Sequence, residues 1–129
     1  SQYDWVMTVR APEHPITAGM PAQWMHKHDE LYHGQRGPAE DINLLLTAFS
    51  DPDSGRRGTG KHEPIVWWVP YGQGKVVTNL MGHVGQLGCM HCVGFQVLLY
   101  RSCEWLATGK CQTPIPDNFP TSESTSLAP

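Results

Sequence analysis

A single helical period runs through this chain, and the residues before it read as strand or turn. Phe95, Leu98, Leu99, Ser102 and Leu106 recur at i, i+3, i+4, i+7 and i+11, which predicts one stripe along a helix from about Cys92 to Thr108. Gly109 stands where a left-handed C-cap is expected, with Lys110 near the negative end of the helix dipole. Upstream, Tyr3–Arg10 alternates as a strand does, and Ile42–Phe49 is a short apolar run bounded by turn residues. Pro64–Val69 and Lys75–Leu80 read as two further strands, joined by the tight hairpin signal Tyr71-Gly72-Gln73-Gly74. Pro12, Pro15, Gly19 and Pro21 punctuate a loop with room for one helical turn between Pro15 and Met20. Gln23–Leu31 has a mixed pattern that the Gly34–Pro38 run ends, and Ser50–Gly60 is an exposed loop. Beyond the helix, Pro114–Pro120 is extended and Thr121–Pro129 reads as a solvated tail. No internal repeat is present. One helix among several strands implies an α/β or α+β class.

Composition sets outer bounds. A chain of 129 residues has the size of one domain and can bury roughly two thirds of its unfolded surface. With 40% hydrophobic and 16% charged residues the chain is globular, and a net charge of −3 argues against a nucleic-acid partner or a polybasic membrane patch. The longest apolar run, Ile65–Val69, stops at Pro70, far short of a transmembrane span. The chain opens at Ser1 with no initiator Met and no signal pattern, so a processed, truncated or partial chain is expected. The four cysteines, Cys89-x2-Cys92-x10-Cys103-x7-Cys111, permit two disulfides in any of three pairings. The paired cysteines and the absent Met lean toward a periplasmic or extracellular location.

Several motifs carry possible chemistry. Gly55-x4-Gly60-Lys61 matches the start of a phosphate-binding loop, but His62 replaces the required Ser or Thr, and Pro64 and a strand follow where a helix should open. It is a decoy. Cys89-Met90-His91-Cys92 lacks the His that haem attachment needs after its second Cys, because Val93 is there, and it lacks a second close Cys pair for a zinc ribbon. A redox pair at a helix N-terminus, a metal site, a structural disulfide, and a buried Cys92 with an incidental Cys89 all stay open. His26, His28 and His33, with Asp29 and Glu30, form the densest polar cluster, read either as a surface loop or as a ligand or metal site. His62 and Glu63 precede a strand and His83 follows one, and strand ends in open α/β sheets line ligand crevices.

Taken together, Glu13–Pro21, Asp29-Glu30-Leu31-Tyr32, Gly58–Pro64, Tyr71–Val76, Leu80-Met81-Gly82-His83, Gly94–Arg101 and Glu104–Lys110 resemble, in order and spacing, the ThuA-like (trehalose-utilisation) domain. This is a branch of the class I glutamine amidotransferase-like superfamily. The resemblance covers nearly the whole chain, as residues 1–120, and the combination is specific although each piece alone is weak. It implies a flavodoxin-like α/β sandwich, here incomplete at its N-terminus, and a link to disaccharide or keto-sugar metabolism. It places the nucleophile-bearing portion of the related amidotransferases before Ser1, so none of the four cysteines is cast as a nucleophile. His83 corresponds to the triad His of those enzymes. The acid that would orient it two residues on is absent, because position 85 is Gly85 and position 84 is Val84. Without an orienting carboxylate a His loses its fixed tautomer, so glutaminase chemistry is not expected.

Two functions are therefore expected. In the first, His83 is the acid/base and Asp29, Glu30, Tyr32, His62 and Glu63 bind the hydroxyls of a sugar or small polyol, with no cofactor. Carboxylates, a phenol and imidazoles together supply the donors and acceptors a polyol needs. In the second, the chain is a catalytically silent unit of a larger assembly, with a partner chain covering an exposed sheet edge.

Overall fold

The computed structural model describes residues 2–35, 40–83 and 87–129, with Leu87 as backbone only. The Arg36–Pro38 part of the expected break, and Val84 and Gly85 after His83, lie outside the described residues. Five strands form one sheet: β1 (Tyr3–Val9), β2 (Gln23–Asp29), β3 (Asn43–Ser50), β4 (Lys61–Tyr71) and β5 (Gly74–Asn79). Their order is β2-β1-β3-β4-β5, and every pair is antiparallel. A short helix α1 (Leu87–His91) leads into α2 (Val93–Thr108), and one 3-10 turn spans Pro52–Ser54. The architecture is mixed α/β, as the count of one long helix against several strands implied.

The strands form where alternation put them. Trp5 and Met7 point from β1 into the core, and Leu46 and Ala48 of β3 join them. The β4–β5 hairpin closes with Tyr71 opposite Gly74, and Gly72 takes the positive φ of +57° that a tight reversal requires. β4 is longer than expected. It starts at Lys61, so His62 and Glu63 lie within the strand and not ahead of it. β2 is the strand the mixed pattern of Gln23–Leu31 concealed.

α2 ends as its sequence requires: Gly109 adopts φ +75° and donates its N–H to the Trp105 carbonyl at 2.8 Å. Its buried face differs from the expected stripe. Phe95, Leu98 and Ser102 are buried, but Leu99 and Leu106 are exposed, and Val97, Arg101 and Trp105 point inward instead. The helix is rotated because polar and aromatic partners are waiting. Arg101 Nη1 donates to the Ala18 carbonyl at 2.8 Å, and Trp105 packs edge-on against Trp68 at 5.1 Å and His14 at 4.7 Å. The stretch read as a solvated tail is mostly exposed, yet its backbone is tied to the body. The Thr121 carbonyl accepts from Met25 N–H, Ser126 accepts from Val93, and His91 accepts from Ala128. The first of these bonds covers part of the β2 edge, and the other two tie the stretch to the helices. On the opposite side, no strand among the described residues pairs with the outer edge of β5.

Cys92, Cys103 and Cys111 form no disulfide, and Cys89 Sγ donates to the His83 carbonyl at 3.1 Å. The two disulfides that the even count permitted are not formed. No helix among the described residues is long and apolar enough to cross a membrane.

The contact that seats α2 on the sheet is Gly94 against the fully buried ring of Trp24. A Cβ at position 94 would lie 2.4–2.9 Å from three atoms of that ring. Gly94→Ala gains roughly 1 kcal/mol of helix propensity. Overpacking in a filled core costs roughly 1–3 kcal/mol, and the Trp24 ring has nowhere to move. Gly94→Ala is therefore expected to lower the urea midpoint with an unchanged slope; a midpoint at or above that of the parent chain would contradict this packing.

Candidate functional site

The site begins with a break in the alternation of β2. Trp5 pairs with His26 and Tyr3 with Asp29, so Asp4 alone on β1 faces both Lys27 and His28 on β2. That extra residue is a β-bulge, and His28 takes φ +44° to make it. Asp4 holds the bulge in place: its Oδ1 accepts the His28 N–H at 2.9 Å, and Lys27 Nζ lies 3.3 Å from its Oδ2. Regular alternation from Trp24 and His26 would turn residue 28 inward. The bulge turns Asp29 inward instead, onto the same buried face as His26.

Asp29 is fully buried and both its carboxylate oxygens are engaged. Oδ1 accepts from the N–H of Glu30 at 2.7 Å and from the N–H of His83 at 3.2 Å. Oδ2 accepts from the N–H of Gly82 at 2.7 Å and from His26 Nε2 at 2.8 Å. Burial pushes the Asp29 carboxyl up, but the bonds from His26, Gly82 and Glu30 outweigh it and hold it below the ordinary carboxylate value. Burial likewise pushes the His26 imidazole down, and the bonds to Asp29 and Cys92 raise it above its ordinary value. The Cys92 thiol, buried at the N-cap of α2, is raised by burial and lowered further by His26, ending below the usual thiol value. Cys89 goes the other way, raised by burial.

One layer outward sits the exposed part. His83 Nδ1 lies 3.2 Å from Glu30 Oε2, and Tyr32 donates its O–H to the same oxygen at 2.9 Å. Positions 84 and 85 offer no carboxylate, and the one that does meet His83 is Glu30, the residue that follows β2. Glu30 and Tyr32 also line a cavity of about 250 Å³ with Tyr3, Ser50, Ser54 and Arg56. The Arg56 guanidinium lies over the Tyr3 ring at 4.4 Å, which fixes the far wall.

The fold therefore brings Asp29, Glu30, Tyr32 and His83 together. Of these, Asp29, expected among the hydroxyl binders, is fully buried with both oxygens engaged inside the fold, while the others are at least partly exposed. His62 and Glu63 are held elsewhere along β4: His62 Nδ1 lies 3.2 Å from Thr47 Oγ1, and Glu63 accepts from the Thr59 hydroxyl at 2.5 Å. Burial and the Arg10 charge lower the His62 pKa. The polar walls at Ser50, Ser54 and Arg56 lay in a stretch whose sequence shows only an exposed loop. The same loop runs directly into β4, as the decoy reading of Gly55–Lys61 requires. Among the described residues no cluster of three His, Cys, Asp or Glu side chains could hold a metal ion.

A family model described as trehalose utilisation matches residues 2–106. The chain belongs to the ThuA family. A ThuA-like protein from Parabacteroides merdae ATCC 43184, solved at 1.75 Å, superposes with a TM-score of 0.91 at 40% identity, over 98% of this chain and 46% of that one. A ThuA-like protein from Bacteroides uniformis ATCC 8492 shares the fold, with a TM-score of 0.61 at 20% identity over 86% of this chain and 47% of that one. The chain thus spans about half the length of these two ThuA-like structures. No curated protein matches it.

The buried pair gives this ThuA chain a defined pH signature. Asp29 is depressed from its ordinary 3.8, so its contribution is present above 3.8 and lost as pH falls through the folded value. His26 is raised from 6.5, so its contribution is present below 6.5 and lost as pH rises through its own folded value. Between those limits, removing one partner of a buried charged pair costs roughly 3–5 kcal/mol. Asp29→Asn should show that loss near pH 5 in urea unfolding, with the gap to the parent narrowing in stronger acid. A gap that stays constant down to pH 2 would show that folding does not depress the Asp29 carboxyl.

Proposed function

We propose that this ThuA domain binds or processes a disaccharide or keto-sugar, with His83 as the acid/base and Glu30 as the carboxylate that orients it. The contact between His83 Nδ1 and Glu30 Oε2, beside a polar cavity that Glu30 itself lines, carries the reading. With Nδ1–H directed at a carboxylate, the neutral ring keeps the lone pair of Nε2 free to take a proton from a sugar hydroxyl and later return it. Tyr32 fixes the rotamer of Glu30 through its O–H and offers its own oxygen to a ligand. Ser50, Ser54 and Arg56 supply further donors around a space of monosaccharide scale. His62 and Glu63 contribute only where a longer ligand reaches along β4. The trehalose-utilisation family points to a role in sugar metabolism and supports this ligand class.

The same reading places the antiparallel unit within a flavodoxin-like, glutamine amidotransferase-like sandwich, without glutaminase activity. Cys89 and Cys92 are buried in the body of the fold, and neither faces the cavity beside Glu30 as a nucleophile would. A second reading, a catalytically silent unit in a larger assembly, draws on the open outer edge of β5, where Val76 is exposed.

Calorimetric titration with trehalose and with an oxidised keto derivative separates the two. Loss of one hydrogen bond to a charged group is worth roughly 1.5–3 kcal/mol, so His83→Ala and Glu30→Gln should each weaken binding by about tenfold or more. Equal affinity in the parent chain and His83→Ala would remove His83 from the site, and no binding of either sugar by the parent chain would favour the silent unit.

A further inference from the structure

The His83–Glu30 pair cannot hold itself in place. Its side chains are 38% and 31% exposed, and ion pairs at such surfaces are worth little against the entropy of two mobile side chains. Its geometry has to come from the backbones that carry it, and both of those backbones are fixed on one atom. Asp29 Oδ1 accepts the N–H of Glu30 and the N–H of His83, residues 53 positions apart in the chain.

We infer that Asp29 is the positioning residue of this site, and that His26 behind it keeps its carboxylate aimed at the Gly82–His83 turn. The inference rests on the acid/base reading above and adds to it the means by which the pair is preorganised. Three backbone N–H donors reach the carboxylate, and His26 Nε2 is a fourth when it carries its proton, a set that the ionised side chain satisfies together. His26 is itself fully buried and packed edge-on against Trp5 at 4.9 Å, so the oxygen it holds cannot swing away. The turn that receives the carboxylate is equally constrained. Gly82 has φ +103°, and a Cβ there would meet Phe95 at 3.1 Å and Met90 at 3.2 Å, so its N–H can be presented only by a glycine. The bulge at His28 completes the device, because in a regular strand Asp29, three residues after His26, would face outward and the two backbones would lose their shared acceptor.

The readout is the tautomer of the His83 ring, which a residue acting only on stability would not move. Ring-nitrogen NMR of the full chain should show neutral His83 mainly as the Nδ1–H form in the parent. That preference should be lost in Glu30→Gln, where the acceptor is weakened directly. It should also be lost in Asp29→Asn, where Glu30 is intact but the amide cannot accept the Gly82 N–H together with the other three donors. Retention of the parent tautomer in folded Asp29→Asn, with loss in Glu30→Gln, overturns the positioning role and leaves the acid/base reading standing. No Nδ1–H preference in the parent chain overturns both. Should Asp29→Asn fail to fold, His26→Gln decides: it keeps a donor toward Oδ2 but not the charge. It should shift the tautomer in the same direction by a smaller amount, and an unshifted tautomer overturns the role.

Discussion

One buried carboxylate organises this molecule. Asp29 joins the end of β2, the turn at Gly82–His83 and, through His26, the interior beside the start of α2. A lone carboxylate in such a place would be neutralised by its own desolvation. Here the bonds from His26 and from the N–H groups of Gly82 and Glu30 outweigh burial and hold its pKa below the ordinary carboxylate value. The consequence reaches the surface: the His83–Glu30 pair is partly exposed, while the carboxylate that accepts from both of its backbones has no access to solvent.

Strand β2 must carry two incompatible requirements, and the bulge reconciles them. Trp24 and His26 need alternation to face the core, and Asp29 needs the same face three residues after His26. A regular strand cannot supply both. The extra residue at His28 does, at the cost of a positive φ in a non-glycine residue, and Asp4 offsets that cost by accepting the freed N–H. α2 faces a similar problem. It must approach the sheet closely enough for Gly94 to touch Trp24, which turns Arg101 inward, and the Ala18 carbonyl accepts from the guanidinium there.

These features explain what could be read from the chain and what could not. β1, β3, the β4–β5 hairpin and the Gly109 cap followed from alternation and turn chemistry, because nothing nonlocal overrides them. β2 was hidden because its buried positions include His26 and Asp29, so the period-2 signal inverts in polarity and then slips by one at His28. The face of α2 was misjudged because Arg101 and Trp105 are held by partners remote in sequence. At the site, family resemblance singled out Glu30, Tyr32 and His83, which the fold does bring together. The family pattern looks for an acid two residues after His83, whereas the carboxylate that meets His83 in the fold is Glu30, 53 residues earlier, and no local spacing encodes that meeting. Asp29 was read as a ligand to hydroxyls for the same reason: its residue type is visible in the sequence, and its burial is not.

The energetic balance argues that this arrangement serves geometry more than stability. Replacing a buried charged pair by apolar side chains of similar volume is often neutral or stabilising by roughly 1–4 kcal/mol. The core around His26, with Trp5, Trp24 and Phe95, is aromatic and could accept such a replacement. An apolar residue at position 29 would leave the N–H groups of Glu30, Gly82 and His83 without their shared acceptor, and the two halves of the dyad would no longer be referred to one point. Two partly exposed side chains 53 residues apart in the chain need such a point, because their own attraction is too weak to define one. The buried anion is the least material that supplies it.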